Sequence, residues 1–157
     1  IGTLQKNKAG HAGKIASCIE SVDRLELIQE LEKHCAKENK KIQIFFEYHT
    51  GEESKSGYTD FQSLYDSIAY IASGNAPHLV PCGFMTMAPF TQDEKIIHKS
   101  FSTLRETSEK LKSQFPQFEM NELSMGMSAD YRIAIQEGST EVRIGTAIFG
   151  ERDYSKA

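Results

Sequence analysis

Two hydrophobic periods alternate along this chain: short runs rich in β-branched and aromatic residues, and longer runs whose apolar residues recur every three or four positions. Residues 16–21, Ala-Ser-Cys-Ile-Glu-Ser, predict a short strand. Asp23 is placed to cap the helix that follows over 24–38, where Leu25, Leu27, Ile28, Leu31 and Ala36 fall near helical spacing. Residues 41–48 are β-branched and aromatic and too short for an independent helix, so they predict a strand. Residues 49–58 are polar, contain Gly51 and Gly57, and predict a loop. Thr59 or Asp60 then caps a helix whose apolar residues are Phe61, Leu64, Tyr65, Ile68, Ala69 and Ile71, stopped at Ser73-Gly74-Asn75.

The second half repeats the pattern. Residues 78–87 predict a buried strand, against which Pro81 argues in its first half. A loop over 88–93 leads into the longest helix, 94–112, and Pro116 turns the chain out of it. Residues 117–125 predict a strand, 126–128 a tight turn, 129–136 a short helix ended by Gly138, 141–145 the last strand, and 147–150 a final helical turn. Strands alternating with helices, without hairpin signals such as Asn-Gly, predict an α/β fold of parallel strands joined by crossover helices. A doubly wound sheet and a (β/α) barrel both satisfy this pattern.

Composition narrows the function more than the fold. The 157 residues suffice for one domain with a core. A net charge of −4 argues against sequence-independent binding to nucleic acid. No run of 18 apolar residues is present, so no membrane span is expected. The opening Ile1-Gly2-Thr3-Leu4 has no signal-peptide character and no initiator methionine, which suggests that an upstream part is missing. Cys18, Cys35 and Cys82 are odd in number and widely spaced, which predicts inert thiols in a reducing cytoplasm. The five histidines show no paired ligand spacing and are expected on the surface or in loops.

Two stretches could carry chemistry. In 123–130 a strand ends, Gly126 permits a sharp turn, and Ser128 stands at a helix start, where free N–H groups and the helix dipole favour an anion. The alternative is that Ser128 merely caps its own helix, with Asp130 in the first turn. In 138–150, Arg143 alternates with Val142 and Ile144 inside a strand, so it points to one face and needs a partner there. It is either a structural arginine paired with an acidic neighbour or a ligand contact. Gly145 and Thr146 follow as the strand ends, where a glycine lets backbone approach a ligand closely. In barrels, phosphates often sit at the loops after the last two strands, so Ser128, Gly145 and Thr146 could meet one phosphate.

Other candidates are weaker. Gly10-His11-Ala12-Gly13-Lys14 lacks the first glycine of a phosphate loop, since position 8 is Lys8. Glu47 with Glu52 and Glu53 forms an acidic group that solvation alone explains. Met85, Met87, Met125 and Met127 suit core filling. Lys6 and Lys8 either line a pocket mouth or are solvated.

Residues 123–130, Ala134-Ile135, 138–140 and 142–150 resemble the C-terminal signature of the pyridoxal-phosphate homeostasis protein family. Residues 1–8 look like that family's third barrel strand and following loop, Ser21-Val22-Asp23 like its fourth, 52–58 like the loop after its fifth, and 83–87 like its sixth. The resemblance implies a (β/α)8 TIM barrel related to the barrel domain of alanine racemase. Residues 1–157 would then be the C-terminal part of one barrel domain, strands three to eight, with the first two β/α units absent; such barrels need ~250 residues. It also implies binding of pyridoxal 5′-phosphate, with a non-catalytic role in intracellular homeostasis of that cofactor. Ser128 with the backbone of Gly145 and Thr146 would hold the phosphate, and Arg143 would face the pyridine nitrogen. The family's covalent Schiff-base lysine lies at the end of strand one, and no lysine of this chain matches it. The expected setting is a cytoplasmic monomer that hands the cofactor to apo-enzymes, without nucleic acid or membrane. A racemase-like enzyme dependent on the same cofactor is the alternative.

Overall fold

The computed structural model describes residues 1–51 and 56–150. Five parallel strands, β1 (Cys18–Val22), β2 (Ile42–Glu47), β3 (Leu79–Met85), β4 (Glu122–Met127) and β5 (Glu141–Arg143), form one sheet in sequence order. Between them run α2 (Leu25–Glu38), α3 (Phe61–Tyr70), α4 (Glu94–Gln114) and α5 (Tyr131–Gln136). A helix α1 (Ala9–Ile15) precedes the sheet and a single turn α6 (Thr146–Phe149) follows β5. Strand order 1-2-3-4-5 with a helix in each connection is the repeated βαβ unit of a barrel wall rather than a sheet wound in two directions.

Side-chain alternation gives this sheet two unlike faces. Val22, Phe46, Phe84 and Leu123 stand in one cross-strand row and are buried beneath the helices. Leu27, Ile28 and Leu31 of α2, Leu64 and Ile68 of α3, and Phe101 and Leu104 of α4 complete that core. One residue along, Glu47, Met85, Ser124 and Glu141 form the row on the other face. That face is concave. In a flat sheet β1 and β4 would lie about 14 Å apart, at ~4.8 Å per strand. The Ser124 hydroxyl nevertheless donates directly to Glu20 Oε2 at 2.6 Å. Only a sheet curled toward this face brings those side chains together. Gly83 serves the same wall: a Cβ there would come within 2.0 Å of the Glu122 carbonyl oxygen.

Several expectations need correction. A sixth strand was expected in residues 1–8; instead Gly2 takes a positive φ of 87° and Lys6–Lys8 form a 3-10 turn. Gly10-His11-Ala12-Gly13-Lys14 is part of α1, and its glycines serve packing. A Cβ on Gly10 would lie 2.7 Å from the His34 ring, and one on Gly13 would lie 3.5 Å from Cys35 Sγ. The Lys40 ammonium caps the end of α1 through the carbonyls of Gly13, Lys14 and Ala16 at 3.0, 2.9 and 2.6 Å. Asp23 does not cap α2; it pairs with Arg24, the residue in the N-cap position, whose side chain also donates to the Leu4 carbonyl. Asp60 does cap α3, accepting from Ser63 N at 2.8 Å. None of the histidines is buried, in keeping with a surface or loop setting, and His34, His78 and His98 also pair with Glu30, Glu32 and Glu137. The three cysteines are free, and burial raises each thiol, Cys18 to about 11, so they stay protonated at neutral pH.

Candidate functional site

The site is built at the C-terminal ends of β4 and β5. Strand β4 runs two residues further than its hydrophobic pattern predicts, through Gly126 and Met127. Gly126 has a φ of 96°, and a Cβ there would lie 2.5 Å from Ala134 Cβ, so glycine lets α5 pack directly against the strand end. The turn that follows is closed by Asp130, whose carboxylate accepts from Met127 N at 2.6 Å while its own N–H donates to the Met127 carbonyl. Asp130, not Ser128, occupies the N-cap position of α5.

Ser128 is therefore released from its own helix and reaches the next turn. Its hydroxyl oxygen accepts from the N–H groups of Gly145 and Ala147, both at 3.2 Å. These lie at the start of α6, whose N-cap position is Gly145. Both bonds are long for N–H···O. One neutral oxygen thus stands where two backbone donors converge, at the meeting of the two turns. No heavy atom lies within 4 Å of a Cβ built on Gly145, so open space faces the backbone there.

Arg143, on the last residue of β5, enters the same region from below. Its Nη1 donates to Ser124 Oγ and its Nη2 to the Thr86 carbonyl, each at 2.7 Å. Burial pushes the guanidinium down from its ordinary value, and the largest carboxylate influence, Glu20, pushes it back up. The direct partners are neutral, so Arg143 is not an arginine consumed by a salt bridge. Two of its five N–H donors are committed and others remain for the cleft. Thr86 is itself fixed: its hydroxyl donates to the Tyr48 carbonyl at 2.8 Å and lies 2.7 Å from the Thr50 hydroxyl, which lies 2.6 Å from Ser100 on α4.

A cleft of about 440 Å³ joins these parts. Ser128, Arg143, Gly145 and Thr146 all line it, together with Met127 and the loop from Ala88 to Thr91. All four residues singled out in the sequence are thus brought together. Lys6 and Lys8 are not among the lining residues. Met85 and Met125 are buried as expected of core fillers, but Met127 is 37% exposed at the cleft. Glu47 is buried and accepts from the Ser56 hydroxyl at 2.6 Å; Glu52 and Glu53 lie outside the described residues. No group of three or more metal-binding side chains occurs among the described residues. Sequence reasoning missed Glu20, Ser124 and Thr86. A charged residue inside a short strand was the one available signal for Glu20.

The family model for the alanine racemase N-terminal domain matches residues 3–153. Among curated relatives, the pyridoxal phosphate homeostasis protein of Aquifex aeolicus is 36% identical over 155 residues, covering 98% of this chain and 66% of that protein. The protein of the same name from Vibrio alginolyticus is 38% identical, covering 99% of this chain and 65% of its own length. The chain therefore spans just under two thirds of the length of these relatives. Among solved structures, PipY of Synechococcus elongatus PCC7942 is 29% identical. Its structure without PLP gives a TM-score of 0.88 over 96% of this chain and 69% of PipY, and its structure with PLP bound gives 0.85. The alanine racemase of Clostridium difficile 630, 15% identical with a TM-score of 0.76, shares the fold over 40% of its own chain. No helix among the described residues is long and apolar enough to cross a membrane.

Proposed function

This chain belongs to the alanine racemase N-terminal domain family and groups there with the pyridoxal phosphate homeostasis proteins; from that premise we propose that its cleft holds pyridoxal 5′-phosphate for storage and delivery rather than catalysis. The observation that carries this is the convergence of the Gly145 and Ala147 N–H groups on the Ser128 hydroxyl, beside the open face of Gly145. The same donors suit a phosphate oxygen, which as an anion would bond them more strongly than a neutral hydroxyl. Ser128 then turns from acceptor to donor, since its hydroxyl can do either. Thr146, exposed at the first position of α6, adds its N–H at the same end.

Arg143 sits where the ring of such a ligand would lie. When bound, the cofactor supplies an aldehyde and an electron-withdrawing pyridine ring. A permanently charged guanidinium donates to an unprotonated ring nitrogen and disfavours a protonated one, which weakens the ring as an electron sink. That suits a holder of the cofactor better than a carbanion catalyst. No lysine lines the cleft among the described residues, so this chain contributes the phosphate and pyridine contacts. The five-stranded curl and the coverage of the relatives support treating the chain as the C-terminal part of one eight-stranded barrel. Apo-enzymes dependent on the cofactor are the proposed recipients.

The test is a binding titration of pyridoxal 5′-phosphate followed by absorbance, on the wild type and on Arg143→Gln. The expected result is saturable binding that Arg143→Gln weakens. An unchanged affinity and spectrum would refute the role of Arg143. Amino-acid racemisation above background by the intact protein would overturn the carrier assignment.

A further inference from the structure

We infer that Glu20 and Ser124 are positioning residues for Arg143, forming a hydrogen-bonded chord across the concave face that aims the guanidinium into the cleft. This rests on the cofactor reading of that cleft. The chord starts on β1, passes through β4 and ends on β5. Ser124 is fully buried, and its single hydroxyl proton is donated to Glu20 Oε2 at 2.6 Å. Its oxygen is thereby left with lone pairs only, and Arg143 Nη1 donates to them at 2.7 Å. The direction of each bond is fixed by chemistry: the carboxylate accepts, the guanidinium donates, and the hydroxyl between them does one of each. A hydroxyl polarised by a carboxylate on one side and a cation on the other makes two charge-assisted bonds, stronger than neutral ones.

The second anchor is independent of the first. Arg143 Nη2 donates to the Thr86 carbonyl at 2.7 Å, at the end of β3. Two terminal nitrogens held on two different strands fix the plane of a rigid guanidinium, whereas one bond would leave it free to swing. Glu20 also keeps a negative charge near the cation without touching it. Direct contact would consume donors that the cleft requires, and the intervening serine prevents it. The phosphate end of the site is built from other parts: Ser128 and the Gly145 and Ala147 amides. Loss of the chord should therefore weaken recognition of the ring and spare recognition of the phosphate.

The experiment measures the affinity of the full chain for two probes, pyridoxal 5′-phosphate and inorganic phosphate, in the wild type, Glu20→Ala, Glu20→Gln and Ser124→Ala. Glu20→Ala and Ser124→Ala should each lower affinity for pyridoxal 5′-phosphate about tenfold, on the order of one charge-assisted hydrogen bond. Affinity for inorganic phosphate should change less than about twofold. Glu20→Gln retains an oxygen that accepts from Ser124 and should recover most of the loss. Parallel weakening toward both probes would mean that the chord only holds the sheet in shape, and would overturn the proposal. So would a wild-type-like affinity in Glu20→Ala. If Ser124→Ala does not fold, the Glu20→Ala and Glu20→Gln pair decides alone. Failure of the wild type to bind pyridoxal 5′-phosphate would overturn the cofactor reading and the proposal with it, an outcome distinct from wild-type binding that the variants leave unmoved.

Discussion

On the convex face of the sheet, Val22, Phe46, Phe84 and Leu123 stand in one row under the helices; on the concave face the neighbouring row is Glu47, Met85, Ser124 and Glu141. The first row is held by volume. Phe46 and Phe84 stack at a tilt with ring centroids 5.9 Å apart, and Tyr58 closes on Phe46 from 6.4 Å. The second row is held by direction, through bonds such as Ser124 to Glu20 and Arg143 to Ser124. Residues adjacent in sequence thus answer to different physics. A change on the convex face should cost stability and leave binding chemistry intact, and a change at the concave end should do the reverse.

The largest expected effect lies on the convex side. Phe46→Ala removes a fully buried ring and should cost about 3–5 kcal/mol in denaturant unfolding, a large share of the roughly 5–15 kcal/mol typical of a domain. A loss under about 1 kcal/mol would show that this core is loosely packed. At the concave end, Thr146→Pro removes one N–H from the start of α6, a position where proline is otherwise tolerated in a helix. It should weaken phosphate binding by about 1–3 kcal/mol with little change in the unfolding midpoint. Loss of fold rather than of binding would erase the contrast between the faces.

A pair between α4 and α5 belongs to neither face. Glu137 accepts from Arg105 at 2.7 Å, and the His98 ring lies 2.8 Å away. The His98 hydrogen bond, with Arg105, holds the Glu137 carboxyl below its ordinary value of 4.5. Because the folded value is depressed, the stabilisation is complete above pH 4.5 and is lost as the pH falls below it through the folded value. Glu137→Gln should remove about 1 kcal/mol at neutral pH and flatten the acid limb of stability against pH. An unchanged acid limb would contradict the assignment. The smallest expected effect on stability is that of Gly145→Ala, within about 0.5 kcal/mol, since its Cβ would enter open space and its φ of −122° lies outside the left-handed region that favours glycine. That same Cβ would occupy the space where a phosphate approaches, so a calorimetric titration should show weakened binding without destabilisation.

What was legible in the sequence follows the range of the forces involved. The five strands could be read because each carries apolar residues in a short run or in alternation between helical stretches, and Asp60 because an N-cap acts over three residues. Ser128, Gly145 and Thr146 could be read because turns after strands are local events. Their joint placement required the two strands to be neighbours, which the alternating pattern already implied. Helix α1 could not be read, because Gly10 and Gly13 lower its intrinsic propensity and its support comes from Lys40 and from α2. The role of Ser128 was undecided for a similar reason: Asp130 displaced it from the cap, and nothing local predicts which of the two residues wins. The Glu20–Ser124 bond joins residues 104 positions apart and exists only because the sheet curls.

The account stands on the meeting of two turns around one oxyanion, and nuclear magnetic resonance of the backbone amides tests it most directly. Titration with inorganic phosphate should move the amide signals of Gly145, Thr146 and Ala147 together with those of residues 127–130, at one common affinity, while the signals of β1 and β2 stay in place. Shifts confined to one turn, or different affinities for the two, would contradict it.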